Sequence, residues 1–154
     1  MSPKKASSIV PLEEVPPADR AAYRPVVLVV DDESVIAETL SEILSRNGYT
    51  AMTAYDANSA LEIALLTPPE LLVTDVVLPG MSGIELAITI RRIFPDCNVL
   101  LFSGQASTED LLSAARRQGH QFTLLTKPVH PIDLLARVSD SLKHRSAGVG
   151  VTAN

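Results

Sequence analysis

Leu71-Leu72-Val73-Thr74-Asp75-Val76-Val77-Leu78-Pro79-Gly80 is an apolar run that ends on one carboxylate and then breaks at Pro-Gly. A carboxylate at the end of a buried strand is unfavourable unless something pairs with it. Two other stretches have the same design. Val26-Val27-Leu28-Val29-Val30-Asp31-Asp32 ends in carboxylates, and Leu124-Leu125-Thr126-Lys127-Pro128 ends in an ammonium. Three strand-like runs thus carry their charge at the C-terminal end.

Working outward from these runs, helical patterns fill the gaps. Glu33 to Asn47 puts Ile36, Leu40, Ile43 and Leu44 on one stripe, with Gly48 to end it. Thr50–Ala54 is a weaker strand. Asp56 or Asn58 can cap a helix to Leu66, stopped by Pro68-Pro69. Ile84–Phe94 is a helix halted before Pro95, and Asn98–Phe102 is a strand ending at Ser103-Gly104. Ser107 or Thr108 caps a helix reaching Gln118-Gly119, and Phe122–Thr126 is the fifth strand. Pro131 opens the last helix, with Leu134, Leu135, Val138 and Leu142 as its stripe, and the end beyond Lys143 reads as frayed. Before Pro25 the chain is rich in Pro, Ser, Lys and Glu and holds no apolar period. The expected organisation is an extension over 1–24, a domain over 25–145 and a flexible tail over 146–154.

Five strands alternating with five helices imply right-handed βαβ units and a parallel, doubly wound α/β sheet. Ligands of such sheets sit outside the carboxyl ends of the strands. Asp31, Asp32, Asp75, Ser103 and Lys127 are therefore expected at one edge.

The bulk composition narrows the function classes. The 154 residues support one domain with a real core. A net charge of -5 argues against a basic nucleic-acid footprint, so no direct nucleic-acid binding is expected. Cys97 is the only cysteine, which excludes an internal disulfide. No apolar run approaches the roughly 18 residues of a membrane span, and Met1 to Pro17, with two lysines and no apolar core, is not expected to act as a secretory signal. A cytoplasmic protein without membrane partners is expected.

Three carboxylates brought together repel, so one or more is expected to hold its proton or to bind a cation, and a hard divalent ion is the simplest resolution. Oxygen ligands without His or Cys favour Mg²⁺ over zinc. Mg²⁺ commonly shares its shell with phosphate oxygens, for which Lys127 offers a point charge and Ser103 a hydroxyl. Gly104 leaves the backbone after Ser103 open to close approach. A carboxylate can itself be the nucleophile, giving an aspartyl-phosphate, and Asp75 stands alone in a loop shaped by Pro and Gly.

At this point four motifs coincide in order: Val29-Val30-Asp31-Asp32-Glu33, Asp75 through Gly83, Phe102-Ser103-Gly104 and Lys127-Pro128. Over about residues 25–145 the chain resembles the receiver domain of bacterial two-component response regulators, of the stand-alone type. The resemblance implies a flavodoxin-like (βα)5 fold with strand order 2-1-3-4-5. It implies that Asp75 is the phosphoacceptor, supplied by a histidine kinase or a histidine phosphotransfer protein. Asp32, Asp75 and the main-chain carbonyl of Val77 would ligate Mg²⁺ (or Mn²⁺), with Asp31 acting through water. Ser103, Gly104 and Lys127 would receive the phosphoryl group, and the Lys127-Pro128 bond would be cis. Phosphorylation would then shift the face built from the fourth helix, fifth strand and fifth helix, controlling a downstream protein. The chain would not be an enzyme beyond self-phosphorylation from small donors and autodephosphorylation.

The chain also departs from the family. Where an aromatic ring is common, three residues before the lysine, stands Leu124, with Phe122 two residues earlier. The switch residues are therefore expected to be Ser103 with Leu124 or Phe122. Val77 cannot orient an attacking water, which leaves Gln105 for that role. Two alternatives stand beside the leading reading: a pseudo-receiver scaffold not switched by phosphorylation, and an aspartyl-phosphate phosphatase of the haloacid-dehalogenase kind. The latter wants a second acid two residues after its nucleophile, where Val77 stands. The bland reading of Asp31-Asp32 is a helix start, and that of Arg91-Arg92, Arg116-Arg117 and the histidines is a solvated surface.

Overall fold

In the computed structural model of the protein, which describes residues 23–104 and 108–147, strands and helices alternate without exception. In chain order they are β1 (Val26–Val30), α1 (Ser34–Ser45), β2 (Thr50–Ala54), α2 (Ala57–Leu66) and β3 (Leu71–Asp75). There follow α3 (Gly83–Ile93), β4 (Asn98–Ser103), α4 (Thr108–Arg117), β5 (Thr123–Thr126) and α5 (Pro131–Ala147). The strands form one parallel sheet in the order β2-β1-β3-β4-β5, as expected.

The sheet divides the core by strand period. Val27, Val29, Leu71, Val73, Leu100 and Phe102 face one side, where Leu40 and Leu44 of α1 meet Leu134 and Val138 of α5. Leu28, Val30, Leu72 and Leu101 face the other, under α2, α3 and α4. All five residues of β3 are buried, as a central strand covered on both faces requires.

Local chemistry sets the helix ends. Asp56 caps α2 by accepting the Ser59 N–H at 2.7 Å. Ser82 and Glu85 form a reciprocal capping box on α3, and α3 stops one residue short of the expected Phe94, which caps it ahead of Pro95. Helix α1 ends at Ser45 rather than Asn47, with Gly48 at positive φ in the turn beyond. Pairing of β5 begins at Thr123, so Phe122 lies just before the strand. Helix α5 continues past Lys143 to Ala147, because Lys, Arg and Ala are strong helix formers and need no apolar stripe to propagate it.

Most of the expected extension and tail, with Gln105 and Ser107, lies outside the described residues. Tyr23 and Arg24 are described, and they are tied to the domain. Tyr23 bonds Glu70, and the Arg24 guanidinium donates to the carbonyls of Ser45 and Tyr49 at 2.6 and 2.9 Å.

Candidate functional site

The carboxyl ends of β1, β3 and β5 bring Asp31, Asp75 and Lys127 together. Asp31 directly follows β1 and is wholly buried. Its Oδ1 accepts the Glu33 N–H at 2.9 Å and its Oδ2 accepts from Lys127 Nζ at 3.1 Å. Part of the bland reading is thus realised: Asp31 does help to start α1, whose Glu33 N-cap has no side-chain cap bond. Asp75 is the last residue of β3 and is 6% exposed. Its Oδ1 accepts the Val77 N–H at 3.2 Å, and its Oδ2 accepts from Lys127 Nζ at 2.8 Å. One ammonium therefore bridges two carboxylates from strands that are neighbours in the sheet.

Lys127 is positioned by its backbone. Its N–H donates to the Ser103 carbonyl at 3.1 Å, and its bond to Pro128 is cis, as the resemblance implies. The stem crosses beside the Phe102 ring, with Nζ 5.2 Å from the ring centre. Glu33 Oε1 lies 3.7 Å from the same ammonium, at the solvent side.

Asp32 stands exposed at the mouth, and one oxygen each from Asp31, Asp32 and Asp75 lie within 4.8 Å of one another. Ser103 ends β4, buried, opposite Thr126 in the register. Gly104 follows at the surface, and a side chain there would meet the Lys127 Cβ at 3.5 Å.

Burial holds the Asp31 carboxyl above its ordinary value, outweighing the Glu33 N–H and the Lys127 ammonium that favour its charged form. Burial also opposes the Lys127 charge, but Asp75 and Asp31 outweigh it and the ammonium's pKa is raised. The two directions agree physically. Asp31 is sealed from water, while a fifth of the Lys127 side chain reaches it.

Three carboxylates face one ammonium, and every donor atom in the set is a hard oxygen. Each bonded carboxylate oxygen keeps a further lone pair. Such a set fits a hard divalent cation such as Mg²⁺ or Mn²⁺ and disfavours zinc or copper.

Acids closing β1 and β3, with a lysine after β5 and all at the carboxyl edge of a 2-1-3-4-5 sheet, define a doubly wound domain whose acidic cluster could hold a metal ion. The family model for the response regulator receiver domain matches residues 27–139, and the chain belongs to that family. It is 36% identical over 125 residues to the "Probable transcriptional regulatory protein TcrX" of Mycobacterium tuberculosis, covering 80% of this chain and 53% of that one. It is 32% identical over 118 residues to transcriptional regulatory protein YvrH of Bacillus subtilis, covering 76% and 48%. The chain therefore spans about half the length of the curated relatives it matches. Among solved structures, a CheY-like receiver domain from Methanospirillum hungatei superposes with TM-score 0.72 at 28% identity, covering 80% of this chain and 97% of that one. NtrX from Brucella abortus in complex with ADP gives 0.75 at 30%, covering 84% and 30%.

The residues singled out as switch elements are spread along β5. Leu124 sits opposite Leu101, packed on the α2–α4 side of the sheet. Phe122 packs on that same side but at the amino end, remote from Ser103, whose partner is Thr126. There the Arg91 guanidinium lies 4.4 Å over the Phe122 ring and His120 stacks on it at 6.1 Å. Sequence reasoning placed Arg91 and His120 on a solvated surface. The i, i+2 spacing of His120 and Phe122 is too weak a signal to suggest a stack.

An apolar groove of about 430 Å³ beside the site has no counterpart among the sequence signals. Val35, Ile36 and Leu40 of α1 line it together with Phe102, Pro128 and Val129, and Lys127 stands at its edge. No helix among the described residues is long and apolar enough to cross a membrane.

Proposed function

We propose that this receiver domain is a phosphorylation-driven switch in which Asp75 is the phosphoacceptor. The observation that carries the reading is the Lys127 ammonium held 2.8 Å from Asp75 and 3.1 Å from Asp31, with Asp32 completing an oxygen cluster. An Asp75 oxygen attacks phosphorus, the phosphorus–nitrogen bond of a phosphohistidine breaks, and its electron pair returns to the imidazole. Asp32, Asp75 and the Val77 carbonyl would hold Mg²⁺, with Asp31 acting through water, and a bound ion would supply positive charge to offset the charge developing on the transferred group. Lys127 and Ser103 hold the remaining phosphoryl oxygens, and Gly104 leaves its backbone accessible to them.

Family membership implies a histidine kinase as donor, directly or through a histidine phosphotransfer protein. The groove between α1 and the segment after β5, with exposed Val35 in its lining, gives a donor domain apolar surface beside Lys127. Phosphorylation biases a pre-existing equilibrium of the α4-β5-α5 face, through which a downstream protein is controlled.

Incubation with acetyl phosphate and Mg²⁺, read on phosphate-affinity gels, tests the assignment. Wild type is modified, whereas the chelated protein and Asp75→Asn are not. An unmodified wild type, or an equally modified Asp75→Asn, overturns it.

One observation supports a second reading. Leu124 offers no ring to move when phosphate binds, so partner binding is uncoupled from Asp75 and the domain is a scaffold. Partner capture unchanged by beryllofluoride selects the scaffold; capture that depends on it selects the switch.

A further inference from the structure

We infer that Gly83, which touches no reacting atom, is the positioning residue for the Asp75 site; this rests on the phosphoacceptor reading above. Gly83 is the first residue of α3 and is buried behind the end of β3. Its N–H donates to the Val76 carbonyl at 2.7 Å. A Cβ at this position would lie 1.8 Å from the Asp75 carbonyl oxygen, 2.8 Å from its carbon and 3.0 Å from the Val76 Cα. All three obstacles are backbone, so no side chain can rotate away. The first turn of α3 is thereby seated directly against the peptide that carries the phosphoacceptor.

The same turn is stiffened from its other side. Ser82 accepts the Glu85 N–H at 3.1 Å, and Glu85 accepts the Ser82 N–H at 3.2 Å. The capped helix end is a rigid stop, and glycine lets the Asp75–Val77 segment lie flush on it. That segment carries both the Asp75 carboxylate and the Val77 carbonyl. A methyl group at Gly83 must push it by about 1 Å or more to reach an ordinary contact distance, whereas reacting groups tolerate only about 0.5 Å. A displacement of about 1 Å typically lowers a rate on the order of 100-fold.

Other glycines and other caps supply the controls. Gly48, in the turn after α1, has φ 98° and open space within 4 Å of where a methyl group would stand, so Gly48→Ala strains the fold without touching the site. Initial rates of modification by acetyl phosphate at saturating Mg²⁺ are measured beside melting temperatures. Gly48→Ala lowers the melting temperature and keeps the wild-type rate, while Gly83→Ala loses about 100-fold in rate at temperatures where it is folded. Should Gly83→Ala fail to fold, the caps decide. Ser82→Ala loosens α3 and lowers the rate several-fold, whereas Asp56→Ala loosens α2 by a similar melting shift and leaves the rate unchanged. Equal rates in Ser82→Ala and Asp56→Ala, or a wild-type rate in folded Gly83→Ala, overturn the inference. A wild type that takes no phosphoryl group instead overturns the phosphoacceptor reading beneath it.

Discussion

At the amino edge of the sheet, one buried carboxylate accepts from a hydroxyl and a backbone N–H; at the carboxyl edge, a cluster of three carboxylates lies beside one ammonium that pairs with two of them. Glu70, 8% exposed, accepts the Tyr23 hydroxyl at 2.5 Å and the Val26 N–H at 3.4 Å. Its own backbone joins β1 to β4, donating to the Val26 carbonyl and accepting from the Asn98 N–H. Nearby, Asn98 donates to the Ser141 carbonyl, and Arg91 donates to that of Gln121 while covering Phe122. Both edges satisfy their hydrogen bonds, since no buried side-chain polar atom among the described residues lacks a partner. They differ in charge. The amino edge holds the Glu70 carboxylate on hydrogen bonds from Tyr23 and Val26, whereas the carboxyl edge gathers three carboxylates around the Lys127 ammonium. A fold accepts such a surplus where a ligand supplies the missing positive charge.

The largest expected effect comes from removing the ammonium. Lys127→Met leaves Asp31 and Asp75 facing each other with no counter-charge. Breaking a buried pair typically costs about 3–5 kcal/mol, and partial exposure of Lys127 lowers the expected loss to roughly 2–3 kcal/mol. Urea unfolding with chelator and then with Mg²⁺ checks it. Mg²⁺ should restore more stability to Lys127→Met than it adds to wild type, while the acetyl phosphate rate falls on the order of 100-fold. A metal-independent loss would mean that the surplus charge is not a cation site.

Glu70→Ala sharpens the contrast from the other edge. It removes the carboxylate that accepts from the Tyr23 hydroxyl and the Val26 N–H, for an expected loss of about 2 kcal/mol. Because Glu70 lies outside the Asp31–Asp32–Asp75 cluster, the loss should be the same with and without Mg²⁺, and the phosphorylation rate of the folded variant should match wild type. Rescue by Mg²⁺ would collapse the distinction between the edges.

The two edges were unequally legible in the sequence. The carboxyl edge announced itself because Asp31, Asp75 and Lys127 each end an apolar run, and βαβ connectivity places strand ends of one sense on one side. Glu70 precedes such a run, where a charged residue looks like an ordinary loop neighbour of Pro68-Pro69. Its partner Tyr23 is 47 residues away in a stretch with no apolar period. Gly83 was legible as part of a motif but not as a contact, since close backbone approach is a property of the packed helix. The cation–π seat of Phe122 was hidden for the same reason: beside Arg92 the Arg91 guanidinium reads as part of a solvated face, yet in the fold it lies over the Phe122 ring.

Asp32→Asn has the smallest expected effect and the opposite sign, which makes it the sharpest test of the charge surplus. Asp32 is exposed and makes no ion pair among the described residues, so the substitution removes a like charge without breaking a bond. Without metal, the variant should therefore be more stable than wild type, by on the order of 0.5 kcal/mol. With Mg²⁺ the order should invert, because the wild type binds the ion more tightly and gains stability in proportion to the logarithm of ligand over dissociation constant. A residue kept only for folding cannot give that crossover; its loss destabilises under both conditions. A helix-starting acid, the bland reading of Asp31-Asp32, predicts a small loss in each. Calorimetric Mg²⁺ titration and melting curves at matched ionic strength separate the cases, and a variant less stable than wild type in chelator would show that Asp32 belongs with the closed, structural polar groups of the opposite edge.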